Sequence, residues 1–177
     1  MLKLNNLALC ALALLPMAAI AQTPSPSMAQ AETAHEHNGQ VAPIEHVMKQ
    51  FHDAVVAHDG AALSGLFLPD ANIWLNVLTD SAYDRAQAKA AKTPKVRVSS
   101  YRDFAKFVST TPTALDAEHS NVVIHTDGTI AAVYFDFVFK IDGKAENRGS
   151  ETWQLVKAVD GWRIAAISYS SDPAVQQ

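Results

Sequence analysis

The sequence predicts an α+β domain whose helices come first and whose strands form an antiparallel meander near the C-terminal end. From Pro43 onward, apolar residues recur at the spacing of an amphipathic helix. Asp-Gly pairs at 127–128, 142–143 and 160–161 each separate runs rich in β-forming residues. This pair is favoured in tight hairpin turns because both positions tolerate positive φ. Helices followed by a meander indicate helices lying on one face of a curved sheet.

The individual elements follow from periodicity and from turn residues. The first helix is predicted to start at Pro43, and its buried stripe is expected to contain Ile44, Val47, Met48, Phe51, Ala54 and Val55. A short helix at 61–67 and a strand at 72–77 follow. Residues 80–92 are predicted to form an exposed helical insertion, and Ser100 starts a capping box for a third core helix. The meander strands are expected at 115–125, 129–141, 145–158 and 162–170.

The first 21 residues have the features of a secretory signal peptide. Lys3 is followed by an apolar run too short to span a bilayer and by a small-x-small site that ends at Ala21. Residues 22–40 are rich in Pro, Ser, Ala and Gln without apolar periodicity, which predicts a flexible leader. Residues 41–173 then form one domain. The mature protein is expected to be periplasmic or secreted.

The composition argues against several classes of function. Cleavage after Ala21 removes Cys10, the only cysteine, so a metal site would need His or carboxylate ligands. The chain has 14 basic and 18 acidic residues and a formal charge of −4, which becomes −5 without Lys3. A mildly acidic chain does not have the charge pattern of a nucleic-acid-binding protein. No nucleophile elbow, phosphate loop or metal-spaced His/Cys set occurs, so no cofactor, metal or membrane partner is predicted.

The Asp-Gly turns also predict which side chains share a face of the sheet. If each pair is the centre of a two-residue turn, His119 lies opposite Asp136 and Trp153 lies opposite Ser168. Period-2 alternation then gathers six polar or aromatic side chains at one end of one face. They are His119, Tyr134, Asp136, Glu151, Trp153 and Ser168. This end is expected to be the mouth of a pocket, and a one-residue bulge at a turn would invert the later strands.

The opposite face is predicted to be partly a subunit interface. It carries aromatic and aliphatic side chains beside scattered charges, a mixture that suits an interface in a homodimer. Its apolar members are Phe135, Phe137, Phe139, Ile167 and Tyr169.

Residues 148–170 resemble the last hairpin of SnoaL-like domains in the nuclear transport factor 2-like superfamily. The resemblance rests on Glu151-Thr152-Trp153, on the following Asp-Gly-Trp and on the closing Ser170. DUF4440-type proteins and the association domain of the calmodulin-dependent kinase are similar there. The stretch 58–71 resembles the family's segment before its first strand, so the resemblance covers about residues 43–171. It implies a cone-shaped, curved antiparallel sheet with about three N-terminal helices packed on its concave face.

The resemblance is specific for the fold and says little about the function. The superfamily spans isomerases, cyclases, dehydratases and non-enzymatic modules. Many relatives place histidines in the final strand near the closing Ser, where this chain has residues 166–169 without a histidine. No role of those histidines is therefore carried over. Relatives line the mouth of the pocket at positions that resemble Trp74 and Tyr101, although core packing is an equally good interpretation of both.

Asp136 is the first candidate for a catalytic base. It lies in an otherwise apolar strand, where a carboxylate must find a partner or have a raised pKa. His119 could share its proton and Tyr134 could donate to an oxyanion. The alternative is that Asp136 makes a structural ion pair or hydrogen bond. Glu151 is the second candidate acid or base.

Three functions are compatible with these observations. The first is an exported module that binds an unidentified small molecule, with Trp74, Tyr101, Glu151, Trp153 and Ser168 as candidate ligand contacts. The second is a cofactor-free isomerase, cyclase or dehydratase that uses an acidic base. The third is a homo-oligomerising interaction domain. An apolar pocket holding a carboxyl with a raised pKa would favour the enzyme, and a filled cone would favour the interaction domain.

Overall fold

The computed structural model describes residues 28–71 and 73–174, with side chains from residue 40 onward. The predicted signal peptide and its cleavage site lie outside the described residues and stay predictions. The described helices are α1 (Met28–Val56), α2 (Gly60–Gly65), α3 (Asp80–Lys89) and α4 (Tyr101–Thr110). The strands are β1 (Ile73–Leu78), β2 (Val96–Ser99), β3 (Leu115–Thr126), β4 (Ile130–Ile141), β5 (Lys144–Ala158) and β6 (Gly161–Pro173). No helix among the described residues is long and apolar enough to cross a membrane.

The predicted α+β class is confirmed, with one change in the sheet. All six strands form a single sheet in the order β2-β1-β6-β5-β4-β3, and it is not closed into a barrel. Strands β3 to β6 form the expected antiparallel meander. The sheet as a whole is mixed because β1 pairs with β6 in parallel. Strand β2, which was not predicted, pairs with β1 at the outer edge.

The helices cover one face of this sheet through the stripe that the sequence predicts. All six stripe residues of α1 are buried, with Ile44 and Val55 fully so. Helix α1 begins at Met28, so Pro43 lies inside it and not in its first turn. In α4, the Ser100 hydroxyl accepts from the backbone N–H of Asp103, which confirms Ser100 as the N-cap, and it also donates to the Asp103 carboxylate. The predicted insertion is helical as α3, and Arg85 holds it to β6 through Asp172 at 2.5 Å.

Gly60 allows α2 to pack closely against α4. A methyl group at this position would collide with the Ser109 hydroxyl and with the carbonyl oxygen of Ala105. We expect Gly60→Ala to lower the free energy of unfolding by about 1–3 kcal/mol, the usual cost of overpacking. Gly65→Ala, in the same helix with open space around it, is expected to raise it by up to about 1 kcal/mol. Urea unfolding measures both, and equal effects of the two substitutions would contradict this account.

The predicted register is correct at one turn and wrong at the other two. Ile141 pairs with Lys144 across the two-residue turn Asp142-Gly143, and both turn residues have positive φ. In the first hairpin, the last pair is Thr126 with Ala131, so the turn has four residues. In the third, the last pair is Ala158 with Gly161, so Val159 and Asp160 form the turn. The Asp-Gly pair is therefore the centre of the turn only in the second hairpin.

Three bulges then change which side chains share a face: relative to β4, His119 and most of β5 are inverted, whereas β6 beyond its bulge is not. The register shifts between Ser120 and Val123 in β3, where Asn121 has a φ of 52°. Further shifts fall beside Phe139 in the pairing of β4 with β5, and beside Gln154 in the pairing of β5 with β6. Each extra residue exchanges the two faces beyond it, because the side-chain period of a strand is 2.

The bulges correct the predicted pairings. His119 lies opposite Phe137 and not Asp136, and Glu151 lies opposite Phe135 and not Tyr134. Trp153 lies opposite Ile167. Ser168 pairs with Thr152 instead of Trp153.

The prediction that the face carrying the three phenylalanines of β4 is partly a subunit interface is wrong. Phe135, Phe137 and Ile167 are buried beneath the helices, and Phe139 and Tyr169 are partly buried there. These five residues share one face, as predicted, but the helices cover that face and not the other one. The uncovered face instead carries Tyr134, Asp136, Thr152 and Ser168 in a polar surface. A homodimer stays a prediction.

Candidate active site

An apolar cavity of about 500 Å³ lies between the covered face of the sheet and helices α1 and α4. This volume is in the range of small-molecule sites. The wall is rich in aromatic rings, which come from Phe51, Trp74, Phe104, Phe107, Phe137, Phe139 and Tyr169. The polar side chains in the lining are Asn76, Arg97, Ser99, Asp103, His119, Asn147 and Glu151.

The aromatic wall is held by contacts between its own rings. The Phe104 ring lies 5.1 Å from Trp74 and is stacked on Phe51 at 6.0 Å. Phe139 meets Phe104 edge to face at 6.1 Å. These are favourable geometries for aromatic pairs. The wall is therefore preorganised to receive an apolar ring system.

Three of these polar residues and Tyr169, whose hydroxyl is also polar, form one line across four neighbouring strands. Glu151 on β5 pairs with Tyr169 on β6. Tyr169 pairs with Asn76 on β1, and Asn76 pairs with Arg97 on β2. Paired residues of a sheet point to the same face, and neighbouring strands lie about 4.8 Å apart. We call this series the polar row, and it leads from the half-buried Glu151 to the exposed Arg97 at the sheet edge.

Glu151 has the most perturbed carboxyl in the cavity. Burial raises its pKa from 4.5 to about 7, and a hydrogen bond from the indole N–H of Trp153 opposes that shift. The Trp153 Nε1 lies 2.6 Å from Glu151 Oε1, and Trp153 itself is fully buried. No ion pair joins Glu151 to a described cation within 4 Å. Near neutral pH, Glu151 therefore exchanges between a neutral and an ionised form, as a general acid or base must.

Tyr169 is placed as a hydrogen-bond donor next to Glu151. The Asn76 Nδ2 donates to its hydroxyl oxygen at 3.0 Å. Burial raises the pKa of Tyr169, and hydrogen bonds from Trp74 and Asn76 oppose the shift. Because the hydroxyl oxygen already accepts, its own proton is available to a ligand. The Oδ1 atom of Asn76 is buried without a hydrogen-bond partner among the described residues, so it can accept from a ligand or from water.

His119 lies in the wall as a neutral aromatic ring. Burial, helped by the charge of His52, lowers its pKa to about 4, although Asp116 opposes the shift. Its ring lies 4.5 Å from Phe135 and meets Trp153 edge to face at 5.8 Å. At neutral pH the imidazole is uncharged. It can accept or donate one hydrogen bond but carries no charge to stabilise an anion.

The structure brings only some of the predicted site residues together. Trp74, His119 and Glu151 line the cavity, and Trp153 lies behind Glu151. Tyr101 does not line it. It is buried, stacked on Phe67 at 4.6 Å, with its hydroxyl donating to the Pro69 carbonyl at 3.1 Å. This is the core packing that the sequence left open as an alternative.

Asp136, Tyr134 and Ser168 lie on the uncovered face of the sheet, away from the cavity. Asp136 accepts hydrogen bonds from Asn121 and Ser150, each at 2.8 Å, and they lower its pKa. The expected raised pKa of Asp136 is therefore not found, because both carboxylate oxygens have hydrogen-bond partners. Asp136 therefore makes structural hydrogen bonds, which was the alternative to a catalytic role. Tyr134 is 49% exposed, and the Ser168 hydroxyl bonds to that of Thr152 at 2.7 Å.

Sequence reasoning missed Asn76, Arg97 and Tyr169 as site residues. Asn76 follows Trp74 by two positions in a predicted strand, so alternation alone could have placed it on the same face as Trp74. Tyr169 was grouped correctly with Phe135 and Phe137, but their face was expected to be a subunit interface and not the covered face. Nothing in the sequence signals that Arg97 lies beside Asn76. Among the described residues, no group of three or more His, Cys, Asp or Glu side chains could hold a metal ion.

Solved structures with the same arrangement of helices and sheet identify the class of fold. No protein-family profile and no curated protein matches the sequence. A protein of unknown function from Mycobacterium tuberculosis is similar with a TM-score of 0.58 and 15% identity, over 80% of this chain and 77% of that one. A protein from Novosphingobium aromaticivorans, provisionally described as a scytalone dehydratase, has a TM-score of 0.57 and 12% identity, over 81% and 93%.

A third similar structure carries the name of the fold. It is a provisionally described dehydratase of the NTF2-like family from Streptomyces avermitilis, with a TM-score of 0.55 and 18% identity, over 78% of this chain and 99% of that one. The open six-stranded sheet with helices on one face defines an α+β cone. The chain has the nuclear transport factor 2-like fold, as its last hairpin implies.

Proposed function

We propose that this protein transfers a proton within an apolar small molecule bound in the cavity, with Glu151 as the base. The observation that carries this proposal is a carboxyl with a pKa of about 7 in an aromatic cavity. A general base is most effective when its pKa is near the working pH. The open cavity is less compatible with a purely structural interaction domain, for which a filled cone is expected.

The geometry supports a specific division of roles. The ionised Glu151 takes a proton from a C–H group next to a carbonyl, and the electron pair moves onto the carbonyl oxygen. The Tyr169 hydroxyl donates to that oxygen and stabilises the negative charge. Return of the proton from Glu151 to another carbon gives an isomer. Its transfer to a hydroxyl group on the carbon next to the former C–H, which then leaves as water while the electron pair forms a C=C bond, gives a dehydration. The descriptions of two similar structures as dehydratases are in line with the second route.

A binding module without catalysis is the second candidate. The buried Oδ1 of Asn76 and the preorganised aromatic wall would hold a ligand whether or not it reacts. In that case a neutral Glu151 would act as a hydrogen-bond donor to the ligand. The two candidates differ in whether Glu151 removes a proton from a bound carbon acid.

The proton transfer can be tested with 5-nitrobenzisoxazole, a small apolar probe. A base removes its ring C–H proton while the ring N–O bond breaks, and the coloured phenolate that forms is followed by absorbance. We expect a rate that saturates with probe concentration and rises with pH to a plateau, with its midpoint near 7, because only ionised Glu151 is a base. A rate that follows hydroxide concentration alone, without saturation, would contradict the proposal and favour the binding module.

A further inference from the structure

The outer end of the polar row carries a positive charge without an ionic partner. Arg97 lines the cavity from the edge strand β2. It forms no ion pair within 4 Å with a described carboxylate, unlike Arg85 and Arg163, which pair with Asp172 and Asp160. Its charge is felt inside the cavity, since it is one of the groups that lower the pKa of Tyr169.

Among the described residues that line the cavity, Arg97 is the one Lys or Arg, and Asp103 is the carboxylate on the facing helix α4. Asp103 also lines the cavity, but it is bound by the N-cap residue of α4. Its carboxylate accepts from the Ser100 hydroxyl at 2.7 Å, and it lies in the first turn, where the helix dipole favours negative charge. The Asp103 carboxylate is therefore stabilised by its own helix, and it forms no ion pair with Arg97 within 4 Å.

We propose that the ligand of this cavity is an amphipathic carboxylic acid whose carboxylate binds Arg97 and whose apolar body lies along the aromatic wall. A guanidinium group matches a carboxylate with two parallel hydrogen bonds. One cation balances one negative charge, so a carboxylate fits better than a doubly charged phosphate ester. The polar row also sets the length of the ligand. Three strand spacings separate Glu151 from Arg97, roughly 14 Å between their backbones, and two linked rings fit between the side chains.

This inference rests on the proposed function only for the end that reacts at Glu151. Binding of the carboxylate at Arg97 requires no reaction. The two proposals can therefore fail separately, and the test of this one measures affinity.

The test compares biphenyl-4-carboxylate with biphenyl-4-carboxamide, which has nearly the same shape without the charge. Binding is followed by quenching of tryptophan fluorescence, since Trp74 lines the cavity. We expect the wild-type protein to bind the carboxylate about tenfold or more tightly than the amide, because the hydrogen bonds are charge-assisted. In Arg97→Gln, the two affinities should agree within about twofold, with that for the amide unchanged.

Arg148→Gln is the matched control, because Arg148 is an exposed arginine that does not line the cavity. It should keep the preference of the wild type. Equal binding of the two probes to the wild type, a preference that survives in Arg97→Gln, or no binding of either probe would each overturn the inference. A carboxylate preference that the wild type shows and Arg97→Gln lacks, together with no turnover of 5-nitrobenzisoxazole by the wild type, would support the inference and contradict the proton transfer. Turnover by a wild-type protein that shows no such preference would support the proton transfer and contradict the inference.

Discussion

Replacing Glu151 with glutamine is expected to slow the elimination of 5-nitrobenzisoxazole by about 10²- to 10⁴-fold, the usual contribution of a positioned general base. Glutamine has nearly the same shape and can still accept a hydrogen bond from Trp153, so the cavity should keep its form. Its amide, however, cannot take up a proton near neutral pH. The rate of phenolate formation with saturating probe measures the effect, and the pH midpoint near 7 should disappear with it.

Asp136→Asn is the control for this experiment. It makes the same chemical change in a carboxylate that lies on the uncovered face, where Asn121 and Ser150 hold it. Its rate should be within about twofold of the wild-type rate, because Asp136 does not reach the cavity. An equal loss in both variants would show that the decrease has a general cause, and a full rate in Glu151→Gln would remove the proposed base.

Glu151→Gln is also expected to make the protein more stable than the wild type at alkaline pH. The folded state raises the pKa of Glu151 from 4.5 to about 7 and so binds its proton more tightly than the unfolded state does. The stability from this group is fully present below the unfolded pKa and is lost as pH rises through the folded pKa. Relative to Glu151→Gln, the wild-type protein should lose roughly 3 kcal/mol between about pH 4.5 and pH 8.

Urea unfolding of both proteins across this range measures the difference directly. Taking the difference between variants removes the other groups, including His119, whose lowered pKa acts in the opposite direction. Asp136→Asn is the control for this measurement as well. Hydrogen bonds lower the pKa of Asp136, so its contribution is constant above about pH 5. A Glu151→Gln difference that is equally constant would mean that burial does not raise the pKa of Glu151.

Local sequence patterns predicted the elements of this fold well. The α1 stripe has the period of a helix, and the capping box around Ser100 marks the start of α4. Both signals lie within a few residues of the structure that they predict. Strand β2 was missed although its sequence, VRVS, alternates apolar and polar residues, because four residues are too few to establish a period.

The site could not be predicted as well, because its composition depends on single inserted residues. One bulge at Asn121 decides whether His119 faces Phe137 or Asp136, and no residue pattern in β3 announces it. Glu151 was recognised as a candidate but was grouped with Asp136 on the wrong assumption about register. Tyr169 was assigned to an interface because its face was not expected to be the one that the helices cover. The parallel pairing that adds Asn76 joins distant parts of the chain and leaves no local signal.

The parallel pairing also has a consequence for how the protein folds. Each hairpin of the meander joins neighbouring strands, whereas the contact between Asn76 and Tyr169 spans 93 positions of the chain. Contacts of such high sequence separation close slowly, because the intervening chain must be ordered first. During synthesis, β1 and β2 are made long before β6, the parallel partner of β1. Asn76 and Arg97 therefore join Glu151 and Tyr169 only after the last strand is made, so ligand binding and the final folding step are coupled.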